Sequence, residues 1–170
     1  MDETAYWKTT RTKSSPFFGA ALQLGALAGG SSVEVANSLK AVGQSYGEII
    51  QIQDDLHDSM ETPANPDWVQ ARCPLPILFA SIVEHPDREL FLELRKVVAD
   101  PSALREAQEI LIHCGAVSYC IAQLIRIHHE AEGLVKNIPL ANPAPLVSLL
   151  DEVIAPVHKL LEASDKHVSP

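Results

Sequence analysis

Several things are scarce in this chain, and each scarcity excludes something. Aromatic residues are few: two Trp, three Tyr and four Phe make up 5% of 170 residues. No stretch alternates β-branched and polar residues, and there is no Asn-Gly or Asp-Gly pair to turn a hairpin, so a β-sandwich or barrel is excluded. Basic residues are outnumbered, 13 Lys and Arg against 22 Asp and Glu, giving a formal charge of −9. A surface that acidic repels phosphate backbones and anionic lipid, so nucleic acid is not an expected partner. The most apolar stretch, 17–30, is short of the roughly 20 residues a membrane span needs and contains Gln23. No transmembrane segment is therefore expected. The start, Met1-Asp2-Glu3, shows no basic region ahead of an apolar run, and with three unpaired-looking cysteines (Cys73, Cys114, Cys120) it points to reduced thiols and the cytoplasm. There is no Gly-x-Ser-x-Gly, no phosphate-cradling glycine loop and no internal repeat.

What is present is helical. Hydrophobic residues reach 46%, enough for one domain of this length, 1–170, to bury a substantial core. Proline, glycine and serine divide the chain into about seven helices. The first spans 5–29 with a disturbance at Pro16, and Gly29-Gly30 ends it. Ser32 then caps a second that runs to about Met60. After a loop at 62–66, helices are predicted over 74–83, 87–99, 102–114, with Asp100 as its cap and Pro101 in its first turn, and 116–137. A last helix covers 145–163, interrupted at Pro156. The fold class expected is all-α.

One segment concentrates the chemistry: Gln51-Ile52-Gln53-Asp54-Asp55-Leu56-His57-Asp58. On a helix, Asp54, Asp58, Gln51 and Asp55 fall at about 0°, 40°, 60° and 100° around the axis. Three carboxylates so placed repel one another and sit near a helix C-terminus, where the macrodipole disfavours anions. Two readings follow: a solvated acidic face, or a site for a hard cation. The oxygen-only donor set favours Mg²⁺ over Zn²⁺. Gly43, Gly47, Ile49, Ile50 and Ile52 just upstream make the helix a buried one, and carboxylates on a buried helix need a partner.

These residues resemble the second aspartate-rich motif of the trans-isoprenyl diphosphate synthases, the polyprenyl synthetase family, with Ile50 where that family has Phe. Two further segments keep the family's order and spacing. Lys13-Ser14 ahead of Leu24-Gly25-Ala26 is similar to its Lys-Thr before Leu-Gly-Ala. Asp67 to Arg72, followed by Leu75-Pro76, is similar to its Asp-Leu-Arg-Glu-Gly-Lys run, with Arg72 at the lysine. Thr62 falls where a further family lysine belongs.

The resemblance covers the C-terminal half of such an enzyme and implies its fold, an isoprenoid-synthase-like helical bundle. It implies a Mg²⁺-bridged allylic diphosphate, with Asp54 the chief metal ligand and Asp55 and Asp58 further ligands or held just behind it. Lys13, Ser14 and Arg72 would bind diphosphate oxygens, and Gln51 would face developing charge. The reaction class is ionisation of an allylic C–O bond followed by attack of the isopentenyl diphosphate double bond. The first aspartate-rich motif and the isopentenyl diphosphate pocket belong to the family's N-terminal half, so a protein partner supplying that half is expected. A split synthase, a structural or regulatory subunit on the same scaffold, and a fragment of an ordinary synthase all remain open, and each leaves an exposed apolar face where the other half would pack.

Other candidates carry blander expectations. His128 and His129 point about 100° apart, cannot share a metal from one helix, and read as surface or interface residues. His57 reads as a neighbour of the aspartates. His113, Cys114 and Cys120 do not form a zinc pattern. Tyr119 and Gln123 read as core packing or prenyl-channel lining, and Trp7 as core or as an anchor to a partner.

Overall fold

The structure is a computed structural model that describes residues 2–69 and 73–168, with side chains to 161. Among the described residues there is no strand, and the architecture is all-α. Helix α1 is Glu3–Lys13, α2 Ser15–Ala28, α3 Val33–Met60, α4 Leu75–Ile82, α5 Arg88–Leu94, α6 Pro101–His113, α7 Ala116–Lys136 and α8 Ala144–Val168. Short 3₁₀ turns occupy Pro66–Trp68 and Arg95–Val97.

Each predicted segment is present, and the boundaries follow from local chemistry. The first is two helices, because Pro16 lacks an N–H and is accommodated in the first turn of a new helix, α2. Gly30 ends α2 at φ +81°, with Gly30 N–H donating to Leu27 O and Ser31 N–H to Ala26 O, both at 3.0 Å. That pair of bonds closes the last turn only if one residue turns left-handed, which glycine does without a Cβ penalty. Ser32 Oγ accepts from Val35 N–H at 3.2 Å to start α3, and Asp100 Oδ1 accepts from Ser102 N–H at 2.8 Å to start α6. Pro156 differs from expectation: it lies within α8 without ending it. Buried Val153, Ile154 and Val157 on both sides of it fix the helix by packing.

The chain forms two compact units, Met1–Thr12 with Gln51–Gln123, and Lys13–Ile50 with Leu124–Pro170; α1, α3 and α7 give residues to both. The first unit is centred on fully buried Trp68, Ile77, Phe91, Leu104 and Leu111. Arg95 pins it by donating to Trp68 O from Nη2 at 3.0 Å and to Ser81 Oγ from Nη1 at 3.0 Å. The second is centred on Leu39, Val42, Ala131, Val135 and Leu150. No single helix among the described residues is long and apolar enough to cross a membrane. The three cysteines are free thiols, Cys120 buried and the other two half-buried, and burial pushes all three above the usual thiol range.

Within the second unit, α2 crosses α3 at glycines. A Cβ on Gly43 would lie 2.4 Å from Phe18 O and 2.7 Å from Phe18 C, both backbone atoms that cannot swing away. Gly133 on α7 has open space around it. Gly43→Ala is therefore expected to destabilise by about 2 kcal/mol through overpacking. Gly133→Ala should stabilise by about 0.5–1 kcal/mol, since a helical glycine costs chain entropy without packing benefit. Urea midpoints of the two variants against the parent chain check both signs.

Candidate functional site

The last two turns of α3 carry the acidic segment, and the three aspartates have different surroundings. Asp55 turns inward and is 6% exposed. Its Oδ2 accepts from the Tyr6 hydroxyl of α1 at 2.7 Å and from the Leu75 backbone N–H at 2.9 Å. Its Oδ1 accepts from Gln51 Nε2, one turn earlier on α3, at 2.8 Å. Burial pushes the Asp55 carboxyl above its ordinary range, against the pull of the Tyr6, Leu75 and Gln51 donors. The same burial, with the Asp55 charge beside it, drives the Tyr6 phenol far up, so it acts as a donor and never as an anion.

Leu75 explains why the carboxylate is needed there. It opens α4, whose first N–H groups have no partner within the helix. Pro74 at the cap offers no side-chain acceptor, and Pro76 has no N–H. The orphan N–H of Leu75 is met by Asp55 from another helix, with the anion at the positive end of the α4 dipole.

Asp54 is exposed and Asp58 half-buried. Partial burial raises the Asp58 carboxyl first, and Asp67, Asp54 and Glu61 raise it further by repulsion. The C-terminal carbonyls of α3 are met by Gln108 of α6, whose Nε2 donates to Glu61 O at 3.1 Å and Ser59 O at 3.3 Å. Gln108 thus fixes the end of the helix that carries the aspartates without placing a charge there. The donor set left facing outward, two carboxylates one turn apart, fits a hard divalent cation.

The remaining residues of the resemblance are distributed as follows. Lys13 is exposed and Ser14 half-buried at the α1–α2 junction; both belong to the second unit, whereas Gln51 and the aspartates belong to the first. Arg72 lies outside the described residues. His57 is exposed beside the aspartates. Tyr119 stacks on Phe79 with ring centroids 4.7 Å apart, its hydroxyl bonded to Glu3, and lines a small apolar hollow of about 50 Å³ with Leu75, Leu78 and Ile82. Trp7 is half-buried and donates from Nε1 to Glu3 at 3.1 Å. Tyr6, the second donor to Asp55, carries no motif signal, because its partner is 49 residues away.

The family model for polyprenyl synthetase matches residues 1–111, which include α1, the aspartates and Leu75. A geranylfarnesyl diphosphate synthase from Aeropyrum pernix is 25% identical over 162 residues, 91% of this chain and 50% of that protein. The crystal structure of a decaprenyl diphosphate synthase from Rhodobacter capsulatus is similar with a TM-score of 0.79 at 21% identity, over 92% of this chain and 51% of that one. That of a geranylgeranyl pyrophosphate synthase from Bacteroides thetaiotaomicron is similar with a TM-score of 0.76 at 23% identity, over 91% and 54%. The chain spans about half the length of the relatives it matches. Motif order, an all-α fold and a family match over residues 1–111 agree: this chain belongs to the polyprenyl synthetase family.

Proposed function

We propose that this chain is the diphosphate-binding half of a trans-prenyltransferase, completed by a partner that supplies the first aspartate-rich motif and the isopentenyl diphosphate pocket. The observation that carries it is the division among the three aspartates. A buried Asp55 locks the helix, and Asp54 and Asp58 are left outward as a hard-cation pair. In this role Asp54 is the principal Mg²⁺ ligand and Asp58 its neighbour, while Asp55 is a positioning residue whose oxygens already serve three protein donors.

Charge building on a departing diphosphate is neutralised by Mg²⁺ when it is bound, which weakens the allylic C–O bond electrostatically. Lys13 and Arg72 contribute cationic donors to diphosphate oxygens, and Ser14 a hydroxyl. Gln51, oriented by donating from Nε2 to Asp55, is the residue facing the developing charge in this role. The electron pair of the broken C–O bond leaves with the diphosphate. The isopentenyl double bond then attacks the cation, and loss of a proton restores a double bond.

The apolar surface of α2 supports the need for a second half. Phe17 and Leu24, two turns apart on one face, are 71% and 64% exposed, with Leu27 beside them. An apolar helix left so bare marks a surface meant to be covered. The competing role, a structural subunit on the same scaffold, uses that surface equally but does not need Asp54.

In the assembly purified from its source and supplied with an allylic diphosphate, isopentenyl diphosphate and Mg²⁺, Asp54→Ala and Asp58→Ala are expected to cut prenyl transfer at least 100-fold with native mass unchanged. Turnover equal to the parent, or none in the parent assembly, would assign the chain to the structural role. The isolated chain separates the roles of neighbouring aspartates by stability. Asp55→Ala strands the Leu75 N–H and the Tyr6 hydroxyl and should cost about 3 kcal/mol in urea unfolding. Asp54→Ala, on the surface, should shift it by less than about 0.5 kcal/mol.

A further inference from the structure

His128 departs from its expected surface placement. Its side chain is only 6% exposed, whereas His129 next to it is 71% exposed. The reason is helical phase: His128 follows Leu124 and precedes Ala131 and Val135 on the buried side of α7. An imidazole in that position has to satisfy its nitrogens, and among the described residues Nε2 finds no hydrogen-bond partner.

Both ring nitrogens nevertheless face carboxylates. Nδ1 is 4.0 Å from Glu132 Oε2, one turn along α7, and Nε2 is 3.7 Å from Asp151 Oδ1 of α8. These separations exceed a hydrogen bond. A single ion takes only one nitrogen of a ring, and the orphan Nε2, 3.7 Å from Asp151 Oδ1, is the one suited to it, because bonds of about 2.0–2.2 Å at tetrahedral or wider angles put donors roughly 3.3–4.3 Å apart. One ligand atom from each of His128, Glu132 and Asp151 lies within 4.8 Å of the others. His129 Nδ1, 3.5 Å from the same Glu132 oxygen, adds a second group that holds that carboxylate in place.

We propose that His128, Glu132 and Asp151 form a binding site for a divalent transition-metal ion that ties α8 to α7 in the second unit. One imidazole nitrogen with two carboxylate oxygens selects Zn²⁺-class ions over Mg²⁺, and a fourth position is left for water. The site shares no residue with the Asp54–Asp58 pair, which uses oxygen donors alone and lies in the first unit. The i,i+4 spacing of His128 and Glu132 is a ligand signal in the sequence; Asp151 comes from another helix and becomes a neighbour only in the fold.

The full chain, stripped with a chelator and desalted, is titrated with Zn²⁺ by calorimetry and with Co²⁺ by visible absorption. One ion per chain, a Co²⁺ spectrum of imidazole–carboxylate coordination, and a rise of several degrees in thermal midpoint with saturating Zn²⁺ are expected. Glu132→Gln and Asp151→Asn, close in shape to the originals, should each weaken Zn²⁺ at least 10-fold and remove the thermal gain, with far-ultraviolet circular dichroism unchanged. An Asp54→Asn, Asp58→Asn double variant should bind Zn²⁺ as the parent does. Absence of saturable binding, or equal affinity in Glu132→Gln and Asp151→Asn, would overturn the site and leave His128 as a buried imidazole in an ion-pair network.

Discussion

The Asp55 carboxylate is the constraint on which the first unit depends. A carboxylate taken out of water costs several kcal/mol unless protein donors replace the water. Here Tyr6, Gln51 and the Leu75 N–H replace it, and they come from α1, α3 and α4. The bond to Leu75 settles a second debt of the fold, the unpartnered first N–H of a helix framed by Pro74 and Pro76. Because the group meets two needs at once, neither the inward turn of Asp55 nor the place where α4 begins can change alone. Removing the carboxylate would strand two donors together, the costlier way to lose a hydrogen bond.

That constraint reaches the surface through helix geometry. Asp54 and Asp58 share a backbone with Asp55 at offsets of −1 and +3 residues, so fixing the inward carboxylate fixes the direction of the outward two. Like charges one turn apart prefer to separate, and the Asp54 charge adds to the burial and the Asp67 charge that raise the Asp58 carboxyl. Their backbone positions cannot separate, because the helix is held by Asp55 within and by Gln108 at its end. In the proposed role as a cation pair, part of the cost of bringing the two charges near each other would be met in folding rather than at binding.

Much of this was legible in the residues, and what was not has specific causes. Helix ends were readable at Ser32, Gly30 and Asp100, where one residue's chemistry decides its own backbone. The break at Pro16 was visible as a disturbance, while Pro156 was misleading because packing on both sides of it outweighs one lost backbone bond. The acidic segment declared itself by spacing, but spacing alone could not say which aspartate turns inward. That choice rests on Tyr6 and Leu75, 49 and 20 residues away. His128 failed for a related reason. Adjacent histidines look like a surface pair until the phase of α7 buries one, and its partner Asp151 sits on another helix.

The apolar exterior of α2 bears on what the chain is for. The helix has no charged residue, and only Ser15 and Gly19 are buried. A solvent-facing helix of a self-sufficient protein normally alternates apolar and polar faces. Here Gly43 and Gly47 of α3 let α2 approach to backbone distance, with Phe18 against Tyr46 and Leu22 against the core, while Phe17, Leu24 and Leu27 point away. The helix thus has an inner face of Ser15, Gly19, Phe18 and Leu22 and an outer face of Phe17, Leu24 and Leu27 left bare. Had the chain been refashioned for life alone, charge would be cheapest to add at those exposed positions, with no internal contact to disturb. Its absence there, in a chain otherwise rich in acidic residues, leaves on α2 the kind of apolar surface that the proposed second half would cover.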